Sequence, residues 1–351
     1  VKISVCIPQY NRIAYLLKSL EIIARQTHAD VEICVVDDAS TDDTDAQLTR
    51  LLPTYRFPVR YVRHAVNEGY DRTLRHALRL ATGDYCFTLG NDDTLADPGC
   101  LARLADFLEK TDRPDVGFTN YALDGAPHRP YRRARRTAVL GSGPDVAARH
   151  YASLAFVGGL VFRRDAFGRA DTDVFDGSVF AQMGLGLRMM LAGGRLVTVD
   201  ETMVTKDLRL SDGPAQSWRE EVRRGDRCFR KRDGGLPRVV GVVQRAFAEA
   251  GYDDPRRTYR LLRKHYRQTY PHWLLEYRSH GGLMSALGLV AGLFPSGWHR
   301  RYRLGLGQAA GLFGWYGAAT AVGLLTPTSL FQRVKLPLYN WLKSRLTALP
   351  G

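Results

Sequence analysis

The period of apolar positions switches repeatedly along the first 120 residues. "ISVCI" (3–7) is continuously apolar, as a strand covered on both faces requires. Ile13, Leu16, Leu17, Leu20 and Ile23 then recur at the spacing of one helix face, to about Gln26. "VEICVV" (31–36) predicts a second strand, and "DDASTDDT" a turn and cap for a helix over about 43–52. "VRYVRH" (59–64) predicts a third strand, and "NEGYDRTLRHALRLATG" (67–83) a helix closed by Gly83. "DYCFTL" (84–89) is a fourth strand. Asp97 caps a helix with Cys100, Leu101, Leu104 and Leu108 on one side, and "DVGFTNY" (115–121) is a further strand. This alternation predicts an α/β fold, a mostly parallel sheet with helices on both faces. Such sheets bind ligands beyond the carboxyl ends of their strands. Asp37–Asp38 and Asp92–Asp93 both fall at such ends.

The pattern then weakens. Residues 122–145 are rich in Arg, Pro and Gly without apolar periodicity, which predicts a mobile loop. A helix near 144–154, a strand at "GGLVF" (158–162), a second loop of Asp and Gly, a helix around 178–192 and a strand at "RLVTVD" (195–200) follow. Beyond about residue 215 the chain reads as helical and basic. The expected division is 1–215, with a nucleotide-binding half (1–120) and an acceptor half (121–215), then a helical region over 216–351.

Charge sharpens this division. The net charge is +14, and between Arg219 and Arg303 nineteen Lys/Arg face eight Asp/Glu. No acid occurs from Tyr277 to Gly351, while Ser279–His299 and Leu304–Gln332 carry no formal charge. Basic residues alternating with uncharged apolar blocks suit an anionic lipid surface better than nucleic acid. Three states remain open for the blocks: helices lying in the interface, a spanning segment or hairpin, and ordinary buried core.

Four motifs carry the chemistry: "CIPQYNR" (6–12), "VVDDAST" (35–41), the stretch from Asn67 to Gly83, and "LGNDD" (89–93). In this order and spacing they resemble family 2 glycosyltransferases, which have the Rossmann-like GT-A fold. The resemblance is close over residues 1–120 and looser to about 205. It implies an inverting glycosyltransferase that moves a sugar from a nucleotide-sugar donor to a lipid-linked or polysaccharide acceptor in bacterial cell-surface glycan synthesis. Mg2+ or Mn2+ would neutralise the leaving diphosphate. By the same resemblance Asp92, assisted by Asp93, holds the metal. Asp38, with Asp37 beside it, contacts the base or ribose, and Pro8, Tyr10 and Asn11 line the nucleotide pocket. Asn91 is placed to donate to a ribose hydroxyl or phosphate. Asn67 and Gly69 either join that pocket or only shape a helix entry. Asp42 reads as a cap, and Arg72 and Arg75 lie one turn apart, facing either phosphate or solvent.

Two departures stand out. The family usually has Asp at the place of Gly90. The acids expected before the helix "LGLRMMLAGGRL" are replaced by Ala181 and Gln182, leaving Asp171, Asp173 and Asp176 nearby. Asp176 is the candidate for the base that takes the acceptor proton. The pattern "FVGGLVFRRDAF…FDGSVFAQ" is similar to the abequosyltransferase-like branch, which handles deoxysugars. Alternatives are a non-catalytic sugar-nucleotide-binding subunit or scaffold, and a sugar nucleotidyltransferase, although "CIPQYNR" lacks a Gly-rich phosphate loop. Cys6, Cys34 and Cys86 lie within strand-like runs and read as buried thiols of a reducing compartment. The first residues read as a strand rather than a secretion signal, so the expected location is cytoplasmic, peripheral or monotopic on the inner face of the membrane.

Overall fold

The computed structural model describes residues 1–211, 213–214 and 236–347. The basic stretch that begins at Arg219 lies outside the described residues as far as residue 235. Two compact units are present. The first holds Val1–Gly177, the stretch beginning at Ala181, and the chain from Tyr339. The second holds Ser178–Phe180 and the helices that end at Leu338. The end of the C-terminal helix therefore belongs with the sheet, which the expected boundary at 215/216 did not foresee.

The first unit is built on β1 (Ile3–Gln9), β2 (Val31–Asp37), β3 (Val59–Arg63) and β4 (Tyr85–Thr88). All pair in parallel, in spatial order 3-2-1-4. Every residue of β1 and β2 is buried, as continuous apolar runs demand of a sheet covered on both faces. Helices α1 (Ile13–Ile23), α2 (Thr44–Leu51) and α3 (Tyr70–Leu80) connect them. α1 buries Ile13, Leu16, Leu20 and Ile23, the periodic face seen in the sequence.

After the short β5 (Thr94–Leu95) and α4 (Cys100–Lys110), the chain adds β6 (Val116–Leu123), β7 (Ala138–Gly141), β8 (Leu160–Arg163) and β9 (Leu196–Lys206). β8 runs antiparallel to β4 and β6, β9 is parallel to β6, and β5 and β7 pair antiparallel with β9. The parallel half foreseen in the sequence thus continues into one mixed nine-stranded sheet. α5 (Gly143–His150), α6 (Arg164–Ala170) and α7 (Ala181–Leu191) belong to the same unit. α6 occupies part of the second expected loop.

The expectation of a mobile loop over 122–145 is corrected. Tyr131 bridges Tyr121 of β6, β7 lies within the segment, and Arg133 is 1% exposed. Burial here comes from a guanidinium and backbone carbonyls, so no apolar period marks it. The thiols of Cys6, Cys34, Cys86 and Cys100 are free and buried.

The second unit is helical: Leu236–Glu249, Pro255–Lys264, a π-turn at His265–Thr269, Tyr270–Gly292, Trp298–Arg301, Leu306–Leu325, and Thr328–Thr347 as far as Leu338. Asp254 caps the second helix by accepting from the N–H groups of Arg256 and Arg257, with Pro255 at its first position. Leu262, Tyr266, Tyr270, Leu274, Leu289 and Leu312 form its core. No single helix among the described residues is long and apolar enough to cross a membrane. Leu306–Leu325 and Thr328–Ser344, bent by 118°, pass that test only as a pair.

Candidate active site

The carboxyl ends of β1, β2 and β4 place three turns side by side. After β1, Asn11 (φ 54°) and Arg12 (φ 62°) are consecutive left-handed residues, a conformation that costs a residue other than glycine about 1 kcal/mol or more. Asn11 binds the turn after β2: its N–H donates to Ser40 Oγ (2.7 Å), and its Oδ1 accepts from Thr41 N (2.9 Å). Asp42 accepts from Ile13 N and Thr44 N, so it caps α1 and orders the start of α2. Pro8 is a buried strand residue, whereas Tyr10 is 46% exposed.

The two acids closing β2 diverge. Asp37 is fully buried, accepting from Ser40 N (3.0 Å) and Tyr61 Oη (3.2 Å), with Arg63 Nε at 3.4 Å. It orders the turn from inside. Asp38 accepts from Glu68 N (2.7 Å), Gly69 N (2.9 Å) and the His64 ring (3.1 Å), and Asn67 Nδ2 donates to its carbonyl (3.2 Å). Asp38, Asn67 and Gly69 are thus brought together as one turn at the entry of α3, with Gly69 at φ +90°. His64 also bonds His76 (2.9 Å), whose pKa is lowered by burial and then by its His64 neighbour.

The turn after β4 holds Asn91, Asp92 and Asp93. Asn91 Nδ2 donates to Gln9 Oε1 (3.0 Å), tying this turn to β1. Asp92 Oδ2 accepts from Arg12 Nη1 (3.1 Å). Asp93 Oδ1 accepts from Asp207 N (3.1 Å), and the Lys206 ammonium pairs with the Asp207 carboxylate. Burial, then the Asp92 charge, hold the Asp93 carboxyl well above the usual carboxylate range. Burial alone would lower the Lys206 pKa, but Asp207, Asp93 and Asp92 outweigh it and keep the ammonium charged.

Gly90 now has a physical reason. A Cβ there would stand 3.0 Å from Asp93 Oδ2 and 3.1 Å from Asp92 Oδ1. Both carboxylates therefore fold over the space that the missing side chain leaves. Gly158, on the facing wall, would bring a Cβ to 3.0 Å from the same Asp93 oxygen. Among the described residues no three His, Cys, Asp or Glu side chains converge into a self-sufficient metal cage. Two hard oxygen donors facing one point, one of them on the Asp93 carboxyl whose ionisation burial disfavours, still fit Mg2+ or Mn2+. Mg2+ in particular binds through one or two carboxylates together with substrate phosphates. Asp92 and Asp93 are the residues that would hold it.

Asp176 lies in the turn before α7, where the sequence places it, and its carboxylate is paired with arginines. Its Oδ2 accepts from Arg75 Nη1 (2.7 Å), with Arg72 Nε at 3.4 Å, and Arg75 Nε also binds Asp171 (2.8 Å). The carboxylate expected to take a proton is thus held by guanidinium groups of α3. Arg75 does not face solvent, its side chain being 6% exposed. Asp173 is exposed. At the place of the missing acids, Ala181 N donates to Asp71 Oδ1 (3.0 Å), and Gln182 Nε2 donates to Ala155 O (2.8 Å).

Sequence reasoning did not single out Gln9, Arg12, Lys206, Asp207 or Gly158. Gln9 and Arg12 lay within the quoted "CIPQYNR", and "TKDL" (205–208), a basic-acidic pair closing a strand, was a usable signal.

The profile described as Glycosyl transferase family 2 matches residues 4–169. Abequosyltransferase RfbV of Salmonella typhimurium is 40% identical over 139 residues, covering 37% of this chain and 41% of that protein. A PGL/p-HBAD biosynthesis glycosyltransferase of Mycobacterium bovis is 34% identical over 137 residues, covering 35% and 50%. The matched part thus spans two fifths to half the length of these relatives. In fold, the chain is similar to S. aureus TarS 1-349 (TM-score 0.56, 16% identity, 92% and 90% of the two chains). It is also similar to the mannosyltransferase PcManGT of Pyrobaculum calidifontis (TM-score 0.52, 18% identity, 99% and 86%). Residues 4–169 of this chain are a glycosyl transferase family 2 domain.

Proposed function

We propose that the protein transfers a sugar, with inversion, from a nucleotide-diphosphate donor to a hydroxyl of a lipid-linked or polysaccharide acceptor in bacterial cell-surface glycan synthesis. The observation that carries this reading is the pair Asp92–Asp93 folded over Gly90, with Arg12 and Lys206 beside it. Mg2+ or Mn2+, when bound there, supplies neutralisation of the charge that develops on the leaving diphosphate. Arg12 and Lys206 add fixed positive charge on the same side. The Asp38–Gly69 turn, Asn91 and the exposed Tyr10 ring shape the nucleoside side of the pocket. The printed names of relatives support this reading: abequosyltransferase RfbV points to a deoxysugar. TarS was solved in complex with UDP, and PcManGT in complex with GDP-Man and Mn2+.

The acceptor side lies at an anionic membrane surface in this reading, on the inner face of the cell membrane. Of fifteen exposed large apolar residues among those described, thirteen fall between Leu283 and Trp341. Leu330, Val334, Leu338 and Trp341 follow one helix face, in a stretch without acids. A second reading, a donor-binding subunit without transfer activity, draws on Ala181, Gln182 and the arginine-held Asp176.

One experiment separates the two. The full chain is incubated with a panel of nucleotide-sugars, Mn2+ and acceptor lipid extract, and release of nucleotide diphosphate is followed. Transfer should occur with one donor and vanish in Asp92→Ala; turnover unchanged in a folded Asp92→Ala protein contradicts the site. Donor binding without release in the wild type supports the subunit. For the membrane, changing Leu330, Val334 and Leu338 to Gln should release the protein from phosphatidylglycerol vesicles; undiminished co-sedimentation contradicts the assignment.

A further inference from the structure

Gly158, next to Asp93, ends a segment that starts at Ser153, and one residue holds most of that segment. Arg133, 1% exposed, donates through Nε to Thr119 O (2.8 Å) and through Nη1 to Ser153 O and Phe156 O (3.1 Å each). Its Nη2 donates to Gly158 O (2.6 Å). All four bonds go to backbone carbonyls, and the Phe118, Tyr121 and Phe156 rings lie within 6 Å of the guanidinium. A Cβ on Gly158 would stand 3.0 Å from Asp93 Oδ2, so only a glycine leaves that oxygen its space. A planar, five-donor side chain is the group suited to gather several carbonyls at once.

The segment carrying Arg133 is clasped from outside by residues about two hundred positions later. Asn340 Oδ1 accepts from Arg132 N (2.8 Å), and its Nδ2 donates to Pro130 O (3.0 Å). Arg135 Nη2 donates to the Asn340 carbonyl (2.8 Å). Tyr339 packs edge-on against Tyr131 (5.4 Å between centroids). Buried Lys343 donates to Ser153 Oγ (2.9 Å), at the start of the 153–158 segment.

We propose that the end of the C-terminal helix is a positioning element of the transfer site. Tyr339, Asn340 and Lys343 fix the Pro130–Arg135 segment and Ser153, and Arg133 carries that constraint to the 153–158 segment beside Asp93. The proposal rests on the reading of Asp92–Asp93 as the donor-diphosphate site.

The test compares full-length wild type, Asn340→Ala, Lys343→Met, Lys343→Arg and Asp92→Ala. Backbone amide exchange is followed over residues 153–159 and over β1–β2. Binding of Mn2+ with UDP, GDP and dTDP is measured in the same samples. In Asn340→Ala and Lys343→Met, exchange over 153–159 should accelerate while β1–β2 is unchanged. Mn2+–nucleotide binding should weaken roughly tenfold or more, because small misplacements of a site are amplified. Lys343→Arg should recover most of both. Unchanged exchange and binding overturn the proposal, and so does a uniform acceleration across both regions. If the wild type binds none of the three, or Asp92→Ala binds as the wild type does, the donor-site reading fails, whatever the helix variants show.

Discussion

The two ends of the same strands carry buried acids with opposite fates. At the amino ends, Glu32 (1% exposed) accepts from Ser4 Oγ (2.6 Å), Thr82 N (2.6 Å), Thr82 Oγ1 (2.7 Å) and Gly83 N (3.1 Å), and pairs with Lys2 (3.1 Å). Burial alone would raise its pKa, but these partners bring it down to about 2. At the carboxyl ends, Asp93 is equally buried, yet the charge that acts on it most strongly is another carboxylate, Asp92, and its pKa is raised. One end satisfies its acid and gains stability; the other leaves its acid short of positive charge. The difference teaches that burial does not mark a site, whereas an under-compensated carboxylate does.

Asp92→Ala should give the largest effect, a loss of about a thousandfold in turnover with little change in melting temperature. A drop in stability without loss of turnover would reverse the comparison. Arg12→Ala sharpens it: removing the cation beside Asp92 should tighten Mn2+ binding alone, while weakening nucleotide-diphosphate binding by about tenfold. Titration with each ligand separately checks both signs. Gly90→Ala should weaken Mn2+–nucleotide binding by roughly tenfold, since the added Cβ meets both carboxylates. Gly90→Asp, though it restores the usual family residue, should not raise turnover for the same steric reason.

Glu32→Gln tests the other end. It should lower the melting temperature by on the order of 10 °C and leave turnover per folded molecule unchanged. The wild-type pH profile follows from the sign of the shift. A lowered folded pKa means that the Glu32 contribution is present above the ordinary value of 4.5 and is lost as pH falls toward about 2. Glu32→Gln should flatten the stability curve in that window. Asp176→Asn should change turnover by no more than about threefold, against the hundredfold or more of a lost general base. Its cost should appear as lower thermal stability, because it weakens a partner of buried Arg75.

The sequence made the carboxyl-end site legible because local signals agree there. Strand, turn and acid fall together at "VVDD" and "LGNDD", and Asp38, Asn67 and Gly69 meet as one turn. The Asn67–Gly83 motif proves to be two things: Asn67 and Gly69 form a turn with Asp38 at the entry of α3, whereas Gly83 serves the opposite end of the sheet. A Cβ at Gly83 would meet Ser4 Oγ at 2.7 Å, inside the Glu32 network. What stayed hidden depends on distant partners. Asp176 looked free because Arg75 lies 101 residues away, and 122–145 looked mobile because Arg133 anchors it through carbonyls. The return of Tyr339–Lys343 to the sheet leaves no periodic trace either.

The central claim is that the carboxyl-end pair, and not its equally buried counterpart, receives the cation and diphosphate. The most direct measurement is calorimetric titration of Mn2+ with nucleoside diphosphates into wild type, Asp92→Ala and Glu32→Gln, at equal folded concentration. The account predicts that one nucleotide binds the wild type and Glu32→Gln with the same affinity and leaves Asp92→Ala without measurable heat. Equal binding by wild type and Asp92→Ala would contradict it.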